Sequence, residues 1–307
     1  MLDHDPGEDS ARELFPSREQ ARLRRLLPVG TARRRFTRGA AGHAIDAALG
    51  ARAALRGSGR QLDRAAAAVP VRDVQVLGVY GDDASAIAVA VAELRRSRHR
   101  VRVVLGAMGD PDPGLAGLTA TQDLRGGKFA NLNTLFPHRP GRADWTLIVD
   151  DDVVLPGRFL DRLLGAAEAL QLDLAQPAQA WAGDAAWPVT RRRSSLARRT
   201  RFVEIGPVCL LRAPVLEALT PFSEAGMGWG LCLHWAALAE QRGWRLGIVD
   251  ALPVRHGRRP TASAYSEREA MAAAEKFLAA NPHIDREAAG EVLERHLRLP
   301  AGAEGAQ

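Results

Sequence analysis

Three consecutive carboxylates, Asp150-Asp151-Asp152, close an apolar run from Trp145 to Val149. A run of that kind reads as a buried strand of the parallel type. Side chains alternate along a strand, so Asp150 and Asp152 are expected to project together while Asp151 turns away. Two neighbouring carboxylates repel each other unless a cation lies between them, and hard oxygen ligands suit Mg2+ or Mn2+. The carboxyl end of a central strand is also where open α/β sheets bind ligands. The competing reading is a solvated acidic turn in front of a helix that starts at Pro156.

Upstream stands Gly126-Gly127-Lys128-Phe129-Ala130-Asn131-Leu132-Asn133, in a chain whose only other lysine is Lys276. Paired glycines let backbone approach a ligand closely, and a lysine supplies a point charge for phosphate. The spacing is not that of a P-loop. Downstream, Gly228-Trp229-Gly230 opens a helix, with Glu224 before it and His234 inside it. His256 follows the last apolar segment. Asp82, Asp83, Asp110 and Asp112 fall in two strand-end loops, where they could meet a base or ribose or simply serve as turn and cap residues.

The Gly-Lys-x-x-x-Leu-Asn element, the strand, Asp150-Asp151-Asp152 and Leu155-Pro156 together resemble the nucleotide-sugar half of GT-A-fold glycosyltransferases, closest to the large family-two type. The resemblance spans Val71 to about Pro260. It implies that Asp150 contacts ribose or metal and that Asp152 holds a divalent cation, Mn2+ or Mg2+, bridging the diphosphate. Lys128 and Asn131 would lie near the nucleotide, with a UDP-sugar the first expectation for the donor. His256 would be a further metal or diphosphate ligand. Gly-Trp-Gly resembles the acceptor-side element of galactosyltransferase-like members, which carry an acid just downstream. Here Leu231-Cys232-Leu233-His234 has none, so Glu224 and then His234 stand in as candidate general bases. The acceptor is left unidentified, and an inverting hexosyl transfer follows from the resemblance alone. Two rivals remain: a haloacid-dehalogenase-like phosphatase with Asp150 as nucleophile, and a non-catalytic GT-A module that only binds nucleotide.

These residues need a scaffold. Val74–Tyr80, a helix over Ala84–Arg96 and a strand at Val101–Leu105 form a β-α-β unit, the opening of a mostly parallel central sheet with helices on both faces. The organisation expected is a helical N-terminal extension over 1–70, a GT-A catalytic domain over 71–260, and C-terminal helices at 263–281 and 284–298 with a tail. The extension would hold helices near Ala11–Leu27, Ala40–Leu55 and Gln61–Val69, with Arg33-Arg34-Arg35 as a solvated run. Phe202–Leu211 reads as a strand, and Trp244–Val249 as the last one, with Asp250 after it. Gly183–Thr200 reads either as a mobile basic loop whose arginines, Arg193 among them, could close over a diphosphate or bind an anionic acceptor, or as a disordered surface loop.

At 307 residues and a formal charge of +6, the chain can bury a large core and favours anionic partners. No recognisable nucleic-acid fold accompanies the charge, so no nucleic acid is expected. Two isolated cysteines indicate neither a disulfide framework nor a zinc site, and no stretch is apolar enough for a membrane span. These features predict a cytoplasmic protein, with room for peripheral contact at a membrane surface.

Overall fold

The computed structural model describes residues 39–225, 227–257 and 266–300. The expected helix at 11–27, the Arg33–Arg35 run and the tail 301–307 lie outside the described residues. In chain order the helices are α1 (Ala40–Leu55), α2 (Ser58–Ala68), α3 (Ser85–Leu94), α4 (Lys128–Asn133), α5 (Phe159–Ala169), α6 (Ala213–Leu219), α7 (Leu231–Arg242), α8 (Glu267–Ala280) and α9 (Arg286–Ala289). The strands are β1 (Asp73–Tyr80), β2 (Arg100–Ala107), β3 (Thr119–Thr121), β4 (Trp145–Asp150), β5 (Val153–Val154), β6 (Leu174–Gln179), β7 (Ala197–Thr200), β8 (Val208–Arg212), β9 (Leu246–His256) and β10 (Val292–His296).

The architecture is α/β. Strands run in the order β10-β7-β9-β6-β8-β4-β1-β2-β3, with β5 paired to β9. The half from β4 to β3 is parallel, as is the β6–β9 pair. Antiparallel β8 joins the two, and β7 and β10 extend the far edge in antiparallel pairing. The sheet is therefore mixed, with its parallel part where the β-α-β reading placed it.

Strand alternation builds two cores. Leu77, Ile148, Cys209 and Ile248 face one way, against Phe129 of α4, Leu216 of α6, Trp235 of α7 and Leu278 of α8. Val76, Leu147, Leu210 and Val249 face the other way, against Leu62 of α2, Ile87 of α3 and Leu163 of α5. Two helical layers on one twisted sheet is the arrangement that buries both faces of its hydrophobic strands. Packing does not break at residue 70. A Cβ on Gly165 of α5 would lie 2.5 Å from the Ala66 nitrogen of α2, so these helices touch backbone to backbone.

Several expectations give way to tertiary context. The segment 284–298 is not a helix: after α9 the chain becomes β10, because the free edge of β7 offers it a ladder. The strand expected at Phe202–Leu211 starts only at Val208. Asp250 lies within β9 rather than beyond it. The helix after Pro156 begins at Phe159, with Arg158 as N-cap in the left-handed region (φ 58°).

The 183–200 segment is a structural feature rather than a mobile loop. Arg198 on β7 is fully buried, and its guanidinium donates to both oxygens of the equally buried Asp250 at 2.8 and 2.9 Å. The Asp250 carboxylate also accepts from Ser195 Oγ at 2.6 Å and from the Arg193 amide at 2.9 Å. Arg191 donates to the Ala180 and Gly183 carbonyls, and Arg192 to the Asp46 carbonyl of α1. Buried guanidiniums need this degree of satisfaction.

Candidate functional site

The site lies at the carboxyl edge of β1 and β4. Strand β4 ends at Asp150, so Asp151 and Asp152 sit in the turn to β5 and alternation does not extend to them. Each carboxylate has a different partner. Asp150, on the face shared with Ile148, pairs through Oδ1 with Lys128 Nζ at 2.5 Å. Asp151 turns toward β1 and accepts from the Gly81 amide at 2.9 Å, tying the two strand ends together. Asp152 Oδ1 lies 3.2 Å from His256 Nε2.

The His256 contact is built by the sheet. His256 ends β9 and stands opposite Val153 in the β5–β9 register, one residue from Asp152. Backbone packing holds the corner: a Cβ on Gly183 would lie 2.9 Å from both the nitrogen and the oxygen of His256. Gly257, at φ 98°, donates to the Asp152 carbonyl at 3.4 Å. Burial is the largest influence on the imidazole and pushes its pKa down. The Asp152 hydrogen bond and charge, with Asp150 and Glu204 behind them, more than offset it, so the pKa is raised overall. Both Asp150 and Asp152 thus act on one imidazole.

Lys128 is placed by the loop before it. It opens α4, and the preceding turn is clamped by Asn131, whose side chain accepts from the Gly126 amide and donates to the Gly126 carbonyl, both at 2.9 Å. A Cβ on Gly126 would come within 2.8 Å of Asn131 Oδ1, so glycine is required there. Asn131, expected near the nucleotide, is buried, and its amide is spent on the turn that precedes Lys128. Gly206 covers the ion pair from the β8 side, where an added Cβ would meet Asp150 Oδ2 at 3.0 Å and Lys128 Nζ at 3.2 Å. Gln176 and Gln179 hold this segment by donating to the Gly206 carbonyl at 3.4 and 3.3 Å.

The remaining candidates fall at different distances from this centre. Asp82 and Asp110 are exposed at the ends of β1 and β2, on the same edge of the sheet, with Asp82 close to Gly109. Asp83 and Asp112 are turn residues, accepting from the Ser85 and Gly114 amides at 3.0 and 2.8 Å. Arg193 has Arg198, Asp250 and Arg295 as charged neighbours, beside β7 rather than beside Lys128. Glu224 is exposed and receives a hydrogen bond from Asn133 Nδ2 at 3.1 Å, while the same amide donates to the Phe222 carbonyl at 2.9 Å. His234 faces elsewhere: its Nδ1 donates to the Pro282 carbonyl at 2.7 Å, and its ring packs edge-on against Phe277. That contact commits its Nδ1 to structure. Trp187 is core, 4.7 Å from the Phe202 ring. The glycines of Gly228-Trp229-Gly230 serve packing: both have positive φ, and a Cβ on Gly228 would overlap Phe129 at 2.5 Å.

Two residues have contacts around the site that the sequence reading did not assign. Asn133 ties the end of α4 to the Phe222–Glu224 segment, also accepting from the Phe222 amide at 2.9 Å. Glu204 accepts from Gln179 Nε2 at 2.8 Å and from Thr190 at 3.3 Å, and its charge reaches His256. Asn133 was visible as the last letter of the Gly-Lys-x-x-x-Leu-Asn pattern; Glu204 carried no local signal.

Among the described residues, no group of three or more His, Cys, Asp or Glu is gathered to hold a metal. What is assembled is one carboxylate and one imidazole, Asp152 and His256, with Asp150 beside them on Lys128. A donor set of this size fits a hard cation that takes its remaining ligands from water and phosphate oxygens, as Mg2+ commonly does. No described helix is long and apolar enough to cross a membrane.

No family model matches the chain, and no curated protein matches it by sequence. Its fold is similar to that of a mannosyltransferase from Pyrobaculum calidifontis in complex with GDP-Man and Mn2+, at 17% identity and TM-score 0.42, covering 68% of each chain. It is also similar to GalNAc-T7 with UDP, GalNAc and Mn2+, at 12% identity and TM-score 0.47, covering 65% of this chain and 47% of that one. A mycobacterial protein is similar at 15% identity and TM-score 0.43, covering 66% and 72%. What the site does has to be read from its own residues.

Proposed function

We propose that the chain is a GT-A-fold glycosyltransferase that moves a hexose from a nucleoside diphosphate, a UDP-sugar first among the candidates, to an acceptor hydroxyl, with Mn2+ or Mg2+ as cofactor. One observation carries this reading. Two pairs of opposite charge, Lys128–Asp150 and His256–Asp152, stand together at the carboxyl edge of the central strands, and Asn133, in the helix that Lys128 opens, donates to the exposed Glu224 carboxylate.

Asp152 and His256 would hold the cation, which when bound neutralises charge on the departing diphosphate. Lys128 binds a phosphate oxygen through its ammonium, a charge-assisted contact that strengthens as the leaving group becomes more negative. Asp150 orients that ammonium and offers its second oxygen to a ribose hydroxyl. Asp82 and Asp110, exposed at the ends of β1 and β2, would meet the base and ribose end of the donor. Glu224 takes the acceptor proton as the new bond forms, a contribution of about a hundredfold or more. Direct displacement inverts the anomeric centre.

The test is incubation of the chain with a panel of UDP- and GDP-sugars, with and without Mn2+, reading free nucleoside diphosphate. Metal-dependent release from one or two donors is expected even without acceptor, because water replaces the hydroxyl slowly. Release of inorganic phosphate from phosphate monoesters, and none from any nucleotide sugar, would overturn the proposal.

A further inference from the structure

A second concentration of charge lies at the other edge of the sheet. A cleft of about 870 Å³ opens between α2, the end of α5 and residues 298–300, bordered by Val69 and Pro70 just before β1. That volume is within the range of small-molecule sites. Arg56, Arg60, Arg64 and Arg298 line it, and Glu168 is the one carboxylate among its lining residues. Glu168 is already engaged, accepting from Arg72 Nε at 3.2 Å and Trp145 Nε1 at 3.1 Å, with Arg212 at 3.7 Å.

Several of the chain's other guanidiniums are closely paired: Arg100 with Asp73 at 2.7 Å, Arg162 with Asp63 at 2.7 Å, Arg201 with Glu291 at 2.9 Å. Among the described residues, Arg60, Arg64 and Arg298 have no side-chain hydrogen-bond or ion-pair partner, and Arg56 donates to the Ser194 carbonyl. The aspartate on the same helix, Asp63, is taken by Arg158 and Arg162. Three unneutralised guanidiniums and a fourth on a neutral acceptor therefore converge on one concavity. Guanidiniums match phosphate oxygens in pairs, and several around one cavity favour a ligand with more than one anionic group.

We propose that this cleft is a binding site for clustered phosphate groups, separate from the Lys128–Asp152 centre, on a soluble polyphosphorylated molecule or on lipid headgroups. The site is independent of what the carboxyl edge catalyses. Leu55, 87% exposed in the last turn of α1 between Arg52 and Arg56, is where a lipid surface would add contact.

The full chain in EDTA, carrying Lys128→Ala to silence the other phosphate contact, is titrated calorimetrically with inorganic tripolyphosphate. In parallel it is sedimented with phosphatidylcholine vesicles with and without phosphatidylglycerol. The comparison is the same chain with Arg60→Ser, Arg64→Ser and Arg298→Ser, positions whose exposure and lack of partners leave the fold intact, checked by unchanged Tm. Saturable tripolyphosphate binding that weakens tenfold or more in the variant supports a soluble ligand. Sedimentation only with phosphatidylglycerol, lost in the variant, supports the headgroup source. Equal binding by both proteins, or none to either probe, overturns the site.

Discussion

At the scale of residues, the Asp-Asp-Asp run divides its labour: Asp150 to Lys128, Asp151 to the β1 end, Asp152 to His256. Lys128 was legible because a lysine beside two glycines stands out in an arginine-rich chain. The Asp152–His256 pair was only half legible, since the β5–β9 register that joins residues a hundred positions apart has no local signature. For Asn131 the sequence pattern shows a polar side chain beside the Gly-Lys turn, but not that its amide clamps Gly126, a contact set by the fold of the turn. Replacing Lys128 by Ala should weaken nucleoside diphosphate binding by about 1.5–3 kcal/mol, the worth of a charge-assisted hydrogen bond, with little change in Tm. Isothermal titration with UDP checks this, and an unchanged Kd would remove Lys128 from the site. Asn131→Ala should lower affinity as well, but through a loosened Gly126 turn, so amide exchange at residues 125–128 should quicken in the same variant.

At the scale of elements, strands and helices with strong periodicity were readable: β1, α3, β2 and β4 fall where apolar spacing put them. What failed were segments whose identity is decided by a partner. The 284–298 stretch becomes β10 because β7 has an open edge, and the arginines of 183–200 are drawn inward by Asp250 and Asp46. Asp250→Ala would leave Arg198 buried without its counter-charge, a loss of about 3–5 kcal/mol. Denaturant unfolding should show it as a lower midpoint; a change under 1 kcal/mol would mean that the pair is not buried as described. Gly165→Val would force α2 from α5 at a cost of about 1–3 kcal/mol. Nucleotide affinity should be untouched there, because the contact lies on the face opposite Lys128.

At the scale of the whole molecule, two helical layers seal both faces of the sheet and leave chemistry to its edges. Both cysteines are inside these layers. Burial pushes the Cys209 thiol up to about 12, against a smaller opposing pull from Lys128, and Cys232 is raised further by burial and the nearby Glu204 charge. Neither should react with a thiol reagent at pH 8 faster than the protein unfolds; rapid labelling of the native chain would contradict the packing. That Lys128, Asp150 and Asp152 gather at the sheet's carboxyl edge was foreseeable from the β-α-β opening and the strand before Asp150. The arginine cleft at the amino edge was not, because its four side chains come from the turn after α1, from α2 and from the far C-terminal segment.

The account depends above all on Asp152 and His256 holding a divalent cation together with a nucleoside diphosphate. The most direct measurement is Mn2+ uptake, followed by electron paramagnetic resonance, in the presence and absence of UDP, for the wild-type chain and Asp152→Asn. The prediction is tight uptake by the wild type that requires UDP, weakened by about 10–100-fold in the variant. Uptake of equal strength in both proteins, or none by the wild type with UDP or GDP present, would contradict it.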